Sequence, residues 1–139
     1  MFKHILVPID LTERNREAME IAVEMGVAGA SQVTLLHVVE TIEDAESEEL
    51  DRFYGKLASR ASKVMDRLIV EFNRDGLSIG KAVIYGKRVR EILKFADENA
   101  VDLIIMSSHR LEPEDATQGW GTISFKVGVL SHCPVMLVK

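Results

Sequence analysis

Two loops that follow apolar, strand-like runs contain the residues best suited to bind a ligand. In the first loop, Asp10 comes directly after the apolar residues 5–9. A carboxylate at the end of a strand can accept hydrogen bonds from a sugar hydroxyl or from the amine of a base. It can also simply accept backbone N–H groups in the turn before a helix. The sequence alone leaves both roles of Asp10 open.

The second loop begins at Ser107 and leads to Gly121 and Thr122, which precede a predicted helix. Glycine allows backbone N–H groups to approach an anion, and the start of a helix adds unpaired N–H groups and the positive end of its dipole. The hydroxyls of Thr122 and Ser124 could then donate to phosphate oxygens. On spacing alone, an ordinary helix cap is the simpler interpretation of Gly-Thr.

The other reactive side chains form no catalytic or metal-binding pattern, and we predict neither kind of site. The four histidines are dispersed along the chain, without the spacing of a metal site. His37 is expected to be a hydrogen-bonded histidine within a strand, whereas His109 lies in the second loop. Cys133 is the only cysteine, which excludes an intrachain disulfide, and it is expected to be buried.

Short β-branched runs alternate with longer amphipathic stretches along residues 1–139. The predicted strands are residues 5–9, 33–39, 80–85, 102–106 and 134–138. Alternation of this kind implies parallel strands joined by right-handed crossovers, and the length fits one domain. We therefore predict a single doubly wound α/β domain. Such sheets bind ligands outside the carboxyl ends of their strands, which is where both loops lie.

Local patterns add three predictions about these elements. Thr12 is predicted to cap the first helix by accepting a backbone N–H group. The third strand is less hydrophobic than the others, which favours a position near an edge of the sheet. The last helix, residues 122–131, is expected to turn Ile123, Val127 and Leu130 inward.

The net charge of −5 comes from one segment of the chain. Residues 40–51 contain seven acids and no base, whereas the rest of the chain holds 15 acids against 17 bases. An acidic chain is a poor ligand for nucleic acids or anionic membranes, so we predict neither partner. The acidic segment is an interaction surface, a divalent-cation patch, or simply a solvated loop before a helix, whose macrodipole favours negative charge.

Two further features bear on where the protein acts. No apolar stretch approaches the roughly 18 residues of a membrane span. The first residues show no signal-peptide pattern, and cysteine use is minimal. We therefore expect a cytoplasmic protein.

Four blocks of sequence carry a resemblance to a known family. Together they look like the universal stress protein family, in the family's order and at its usual separations. The resemblance covers nearly the whole chain. The blocks are KHILVPID (residues 3–10), LLHV (35–38), DLIIM (102–106) and CPVMLVK (133–139).

The resemblance implies a fold, a ligand and an assembly. The implied fold is a five-stranded parallel sheet of order 3-2-1-4-5 with helices on both faces, of the adenine nucleotide alpha hydrolase-like class. Many members bind ATP, and others retain no nucleotide. Members commonly form homodimers through the last strand, here residues 135–139. The implied cofactor is ATP or AMP, with or without Mg²⁺.

The nucleotide site of the family carries over only in part. Its phosphate motif is Gly, two residues, Gly, nine residues, then Gly followed by Ser or Thr. Here Ser107 and Arg110 replace the first two glycines and the spacer has ten residues. The residues that the resemblance places at the nucleotide are Pro8, Ile9, Asp10, Val38, Met106, Ser107, His109, Arg110, Gly121, Thr122, Ile123 and Ser124.

Two functions are therefore the main candidates at this point, and a hydrolase or nucleotidyl transferase is a third, less favoured one. The first is a dimeric regulatory protein of the stress response that binds ATP or AMP. Turnover of ATP would be slow at most, because no residue is an evident general base at the γ-phosphate. The alternative is an interaction module of the same fold with a degenerate phosphate loop, in which the acidic segment and the last strand meet partners directly.

Overall fold

A five-stranded parallel sheet forms the centre of the computed structural model, which describes residues 1–108 and 122–139. The order of the strands in the sheet is β3-β2-β1-β4-β5, which confirms the predicted fold and order. The strands are β1 (His4–Pro8), β2 (Gln32–Glu40), β3 (Ser78–Gly86), β4 (Leu103–Ser107) and β5 (Val135–Val138). The helices are α1 (Asn15–Gly29), α2 (Glu48–Phe72), α3 (Arg88–Glu98) and α4 (Ile123–Leu130).

Helices cover both faces of the sheet and divide its core into two layers. The helices α1 and α2 pack on one face, with Met19 and Met65 fully buried there. The helices α3 and α4 pack on the other face through Ile92 and Val127. The central strands β1 and β4 are apolar toward both layers, as expected for a parallel sheet covered on both sides. The third strand lies at an edge, as predicted.

The start of α1 differs from the prediction. Thr12 lies in a turn three residues before the helix, and the N-cap position is taken by Arg14, whose side chain makes no capping bond. The carboxylate of Asp10 accepts from both the N–H group and the hydroxyl of Thr12. Because Asp10 holds Thr12 in this way, Leu11 adopts a φ of 70° and the chain turns before the helix begins.

Two predictions near the C-terminus are also wrong in detail. Leu130 ends α4 with 56% of its surface exposed, so the inward face of that helix rests on Val127. Cys133 is half-buried rather than buried, and the hydroxyl of Ser131 accepts from its backbone N–H. Thr122 does cap α4, because its hydroxyl accepts from the N–H of Phe125 at 3.3 Å.

Candidate functional site

A pocket of about 390 Å³ lies at the carboxyl ends of β1, β2 and β4, beside the first turns of α1, α3 and α4. Its volume is within the usual range for a small-molecule site. Apolar and polar side chains both line it. The lining residues are Pro8, Ile9, Asp10, Asn15, Leu36, His37, Val38, Arg88, Ile92, Met106, Ser107, Thr122, Ile123 and Ser124.

The apolar wall of the pocket is rigid because it belongs to the core. Val38 and Met106 lie near the carboxyl ends of β2 and β4 and are almost fully buried, as is Ile92 from α3. All three are members of the layer that packs beneath α3 and α4. A flat apolar ligand group could therefore bury its faces here without any rearrangement of the core.

The backbone of β2 offers hydrogen-bonding groups at the same place. The carbonyl of Leu36 accepts from the N–H of Ile9, so the backbone groups of Leu36 face β1. Val38 has the same orientation, because backbone direction in a strand repeats every two residues. β1 ends at Pro8, opposite Leu36. The N–H and C=O of Val38 therefore extend past the end of β1, toward the pocket.

One carboxylate oxygen of Asp10 is hydrogen-bonded within its own loop, and the other has no partner in the part of the chain that the structure describes. Its Oδ1 accepts from the N–H of Thr12 at 2.9 Å and from the hydroxyl of Thr12 at 2.6 Å. Its Oδ2 has no hydrogen-bond partner within residues 1–108 and 122–139. Asp10 can therefore stabilise the turn and still accept hydrogen bonds from a ligand, because the turn uses only one of its two oxygens.

The resemblance assigns Ser107 to the first glycine of the phosphate motif. The φ angle of Ser107 is not positive, so its backbone conformation does not require glycine. Its hydroxyl donates to the carbonyl of Arg14 at 2.9 Å and accepts weakly from Asn15. The serine side chain is therefore held toward the start of α1.

The first turn of α4 forms the remaining wall. Thr122 caps the helix, and Ser124 is buried with its hydroxyl 2.9 Å from that of Ser108. The first N–H groups of a helix have no partners within it and carry the positive end of its dipole. This wall therefore suits a negatively charged ligand group.

Five lining residues did not follow from the sequence: Asn15, Leu36, His37, Arg88 and Ile92. His37 is hydrogen-bonded as predicted, 2.7 Å from the carbonyl of Ile9, but it also borders the pocket. Arg88, the first residue of α3, forms an ion pair with Glu40 at 3.2 Å. Only Asn15 left a signal in the sequence, because it extends the buried stripe of Ala18 and Ala22 back by one turn.

The structure brings nine of the twelve predicted nucleotide residues to this one pocket, while His109, Arg110 and Gly121 lie outside the described residues. In the part of the chain that is described, no group of three or more His, Cys, Asp or Glu side chains could hold a metal ion. Over those residues, no helix has the length and apolar character needed to cross a membrane.

Comparison with known proteins identifies one family. The sequence model of the universal stress protein family matches residues 1–139. Universal stress protein MJ0577 of Methanocaldococcus jannaschii is 26% identical over 157 residues, which cover 100% of this chain and 96% of the relative. The solved structure of MJ0577 matches with a TM-score of 0.83 and 29% identity, over 100% of this chain and 96% of that one.

Two more distant structures share the fold and were solved with nucleotides. A universal stress protein in complex with cAMP matches with a TM-score of 0.74 and 17% identity, covering 99% of this chain and 97% of that one. The universal stress protein of Archaeoglobus fulgidus in complex with dAMP matches with a TM-score of 0.66 and 16% identity, covering 99% and 98%.

Proposed function

Because the chain belongs to the universal stress protein family, we propose that it is a cytoplasmic, homodimeric regulatory protein of the stress response that binds ATP or AMP. One observation carries this proposal. The pocket combines a rigid apolar wall, the open backbone of Val38 and the Oδ2 of Asp10, which has no hydrogen-bond partner among the described residues. Each matches one part of a nucleoside. The apolar wall can cover the faces of a base, the Val38 backbone can pair with its edge, and Oδ2 can accept from the ribose hydroxyls.

The base would lie against Val38 and Met106. The N–H and C=O of Val38 form a donor–acceptor pair that complements the N1 acceptor and the N6 amine of adenine. Pro8 and Ile9 border the same space, and the Oδ2 of Asp10 would accept from the ribose hydroxyls. An ionised acceptor makes the stronger class of hydrogen bond, so Asp10 is the principal ribose ligand in this proposal.

The phosphates would extend toward Ser107 and the first turn of α4, where Thr122, Ile123 and Ser124 line the pocket. Gly121, His109 and Arg110 belong to the same proposal as further phosphate contacts. Mg²⁺ would be bound by the phosphate oxygens and water, as is common for this ion. The proposed role is binding rather than catalysis, with turnover of ATP slow at most.

The two nucleotide complexes among the distant relatives support an adenine nucleotide as the ligand class. One was solved with cAMP and one with dAMP. Both are less than 20% identical to this chain, so they support the class and not the number of phosphates.

The dimer would form through residues 135–139. β5 is the last strand of the sheet, and the carbonyls of Pro134 and Val138 point to β4. The backbone groups of Val135 and Leu137 therefore face the free edge, which is available for pairing. We expect Met136→Lys to yield monomers in size-exclusion chromatography with light scattering, with the exposed Val70→Lys on α2 as the control. A dimer that survives Met136→Lys and also Leu137→Pro would contradict this interface.

Thermal unfolding of nucleotide-free protein with ATP, AMP and GTP tests the ligand. A ligand that binds the folded state at 100 times its Kd adds about 2.7 kcal/mol of stability. We expect ATP or AMP at millimolar concentration to raise Tm by several degrees and GTP to raise it less. Asp10→Asn should lose the shift, whereas Glu43→Gln in the acidic segment should retain it. An unchanged Tm with every adenine nucleotide would overturn the proposal.

A second candidate function has one observation in its favour. Ile42, Phe53 and Tyr85 are exposed and lie around Tyr54, whose hydroxyl accepts from the N–H of Ile42. In residues 40–51, every acid except Glu40 lacks an ion pair with another described residue. This surface favours an interaction module that meets a partner directly, and a folded protein without nucleotide binding would favour that function.

A further inference from the structure

We infer that Asn15 is the positioning residue of this site. Its buried amide fixes the loop that carries Asp10 and joins it to Ser107 at the end of β4. The functional consequence rests on the proposed nucleotide binding, whereas the positioning itself is a property of the protein without ligand.

The hydrogen bonds of Asn15 connect two sides of the pocket. Its Oδ1 accepts from the backbone N–H of Asp10 at 3.0 Å. Its Nδ2 donates to the hydroxyl of Ser107 at 3.5 Å, and that hydroxyl donates to the carbonyl of Arg14 at 2.9 Å. One side chain therefore bridges the loop after β1 and the end of β4.

The burial of Asn15 shows that these bonds are specific. The residue is 3% exposed, so its amide has little access to water. An amide buried without partners destabilises the folded state, and the partners of this one, Asp10 and Ser107, both line the ligand pocket. A leucine of similar size could fill the same position on α1 beside Ala18, but it could not make either bond.

The position of Asp10 depends on this contact. The carboxylate is held locally by Thr12, but Asn15 is the contact that connects the Asp10 backbone to α1. A binding group must be held within about 0.5 Å of its productive place to be effective. Asn15 does not need to touch the ribose itself, because it acts through the backbone of Asp10.

Hydrogen exchange of unliganded protein tests the positioning without any nucleotide. In Asn15→Leu and Asn15→Ala, the amide proton of Asp10 should exchange at least about tenfold faster, since its acceptor is gone. The N–H of Ile9, bonded to Leu36 at 2.8 Å, should remain slow in the same samples. Asn73→Leu at the exposed end of α2 is the matched control. Unchanged exchange at Asp10 would overturn the inference.

Ribose discrimination tests the consequence for binding. The ratio of the Kd of 2′,3′-dideoxy-ATP to that of ATP should be about tenfold or more in the wild type, from lost charge-assisted hydrogen bonds. It should fall below about threefold in Asn15→Leu. A partly unfolded variant weakens both ligands equally, so the ratio reports position and not stability.

The outcomes separate this inference from the proposed function. If the wild type binds neither nucleotide, the proposed function fails and hydrogen exchange alone decides the role of Asn15. If the wild type discriminates and Asn15→Leu keeps the full ratio, the inference is wrong while the proposed function stands. A wild-type ratio near one would overturn the link from Asn15 through Asp10 to the ribose.

Discussion

Two aspartates at opposite ends of the sheet show how similar residues acquire different roles. Asp102 precedes β4 at the amino ends of the strands, and its two oxygens accept from the N–H groups of Lys3 and His4 at 2.8 and 3.0 Å. Asp10 follows β1 at the carboxyl ends, and Thr12 occupies only its Oδ1. Asp102 joins two strands and has both oxygens occupied, whereas the Oδ2 of Asp10 has no hydrogen-bond partner among residues 1–108 and 122–139.

The largest expected difference between the two aspartates is in ATP binding, which should depend on Asp10. Asp10→Ala removes the proposed ribose acceptor and should weaken ATP binding by about 100-fold, because two charge-assisted hydrogen bonds contribute roughly 1.5–3 kcal/mol each before compensation by water. Equilibrium dialysis measures this loss. Asp102→Asn should bind as the wild type does. Equal loss in both variants would show that the two carboxylates do not differ in role.

Asp102 should instead determine stability. Asp102→Asn removes the charge and replaces one carboxylate oxygen with an NH₂ group that cannot accept, so one of the N–H groups of Lys3 and His4 loses its acceptor and the other keeps a neutral one. We expect Tm to fall by about 2–5 °C, measured by calorimetry. Asp10→Asn should change Tm by less, since its Oδ1 can still accept from Thr12. A larger fall in Tm for Asp10→Asn than for Asp102→Asn would show that Asp10, and not Asp102, is the more important for stability.

The pH dependence of stability should show the same difference. Partial burial disfavours the charge of Asp102, but the N–H groups of Lys3 and His4 outweigh it and hold the pKa of this carboxyl below its usual value. A lowered pKa adds stability above the unfolded value of about 3.9, and this stability is lost as pH falls through the folded pKa.

Unfolding by urea at a series of pH values between 2 and 6 tests this directly. The free energy of unfolding of the wild type should fall more steeply below about pH 4 than that of Asp102→Asn. In Asp102→Asn the free energy of unfolding should still fall with pH. Glu71 contributes to that remaining slope, because its hydrogen bond and ion pair with Arg16 lower the pKa of its carboxyl. Identical slopes in both proteins would contradict a structural role for the Asp102 charge.

The smallest predicted effect on ATP binding comes from Thr12, whose N–H group and hydroxyl both donate to the Oδ1 of Asp10. Thr12→Val removes the hydroxyl donor but keeps the backbone N–H, so ATP binding should weaken by about 3- to 10-fold. Thr41→Val, beyond the end of the pocket, is the control. A loss as large as that of Asp10→Ala would mean that the loop itself, and not the free oxygen, binds the ligand.

Much of the fold could be predicted from the sequence, because parallel strands covered on both faces have a strong pattern. The apolar runs that became β1 and β4 and the edge position of β3 follow from hydrophobicity alone. The strand order followed from family resemblance. The start of α1 was wrong because the Asp10–Thr12 contact, a local side-chain preference, delayed the helix.

The candidate site was predictable where residues follow strands directly and not elsewhere. Asp10 follows β1, and Val38 and Met106 lie near the carboxyl ends of β2 and β4, so topology places them together. Arg88 and His37 border the pocket through the crossover helix and the alternation along β2, which depend on the three-dimensional arrangement of the sheet. Asn15 was missed because a polar residue before an apolar stripe resembles a solvated helix end.

Isothermal titration of nucleotide-free protein with ATP, with and without Mg²⁺, tests the central claim most directly. We predict saturable binding of one nucleotide per chain in the wild type and in Asp102→Asn, with binding about 100-fold weaker in Asp10→Ala. Absence of heat in the wild type, together with an unchanged Tm at millimolar ATP, would contradict nucleotide binding at this pocket.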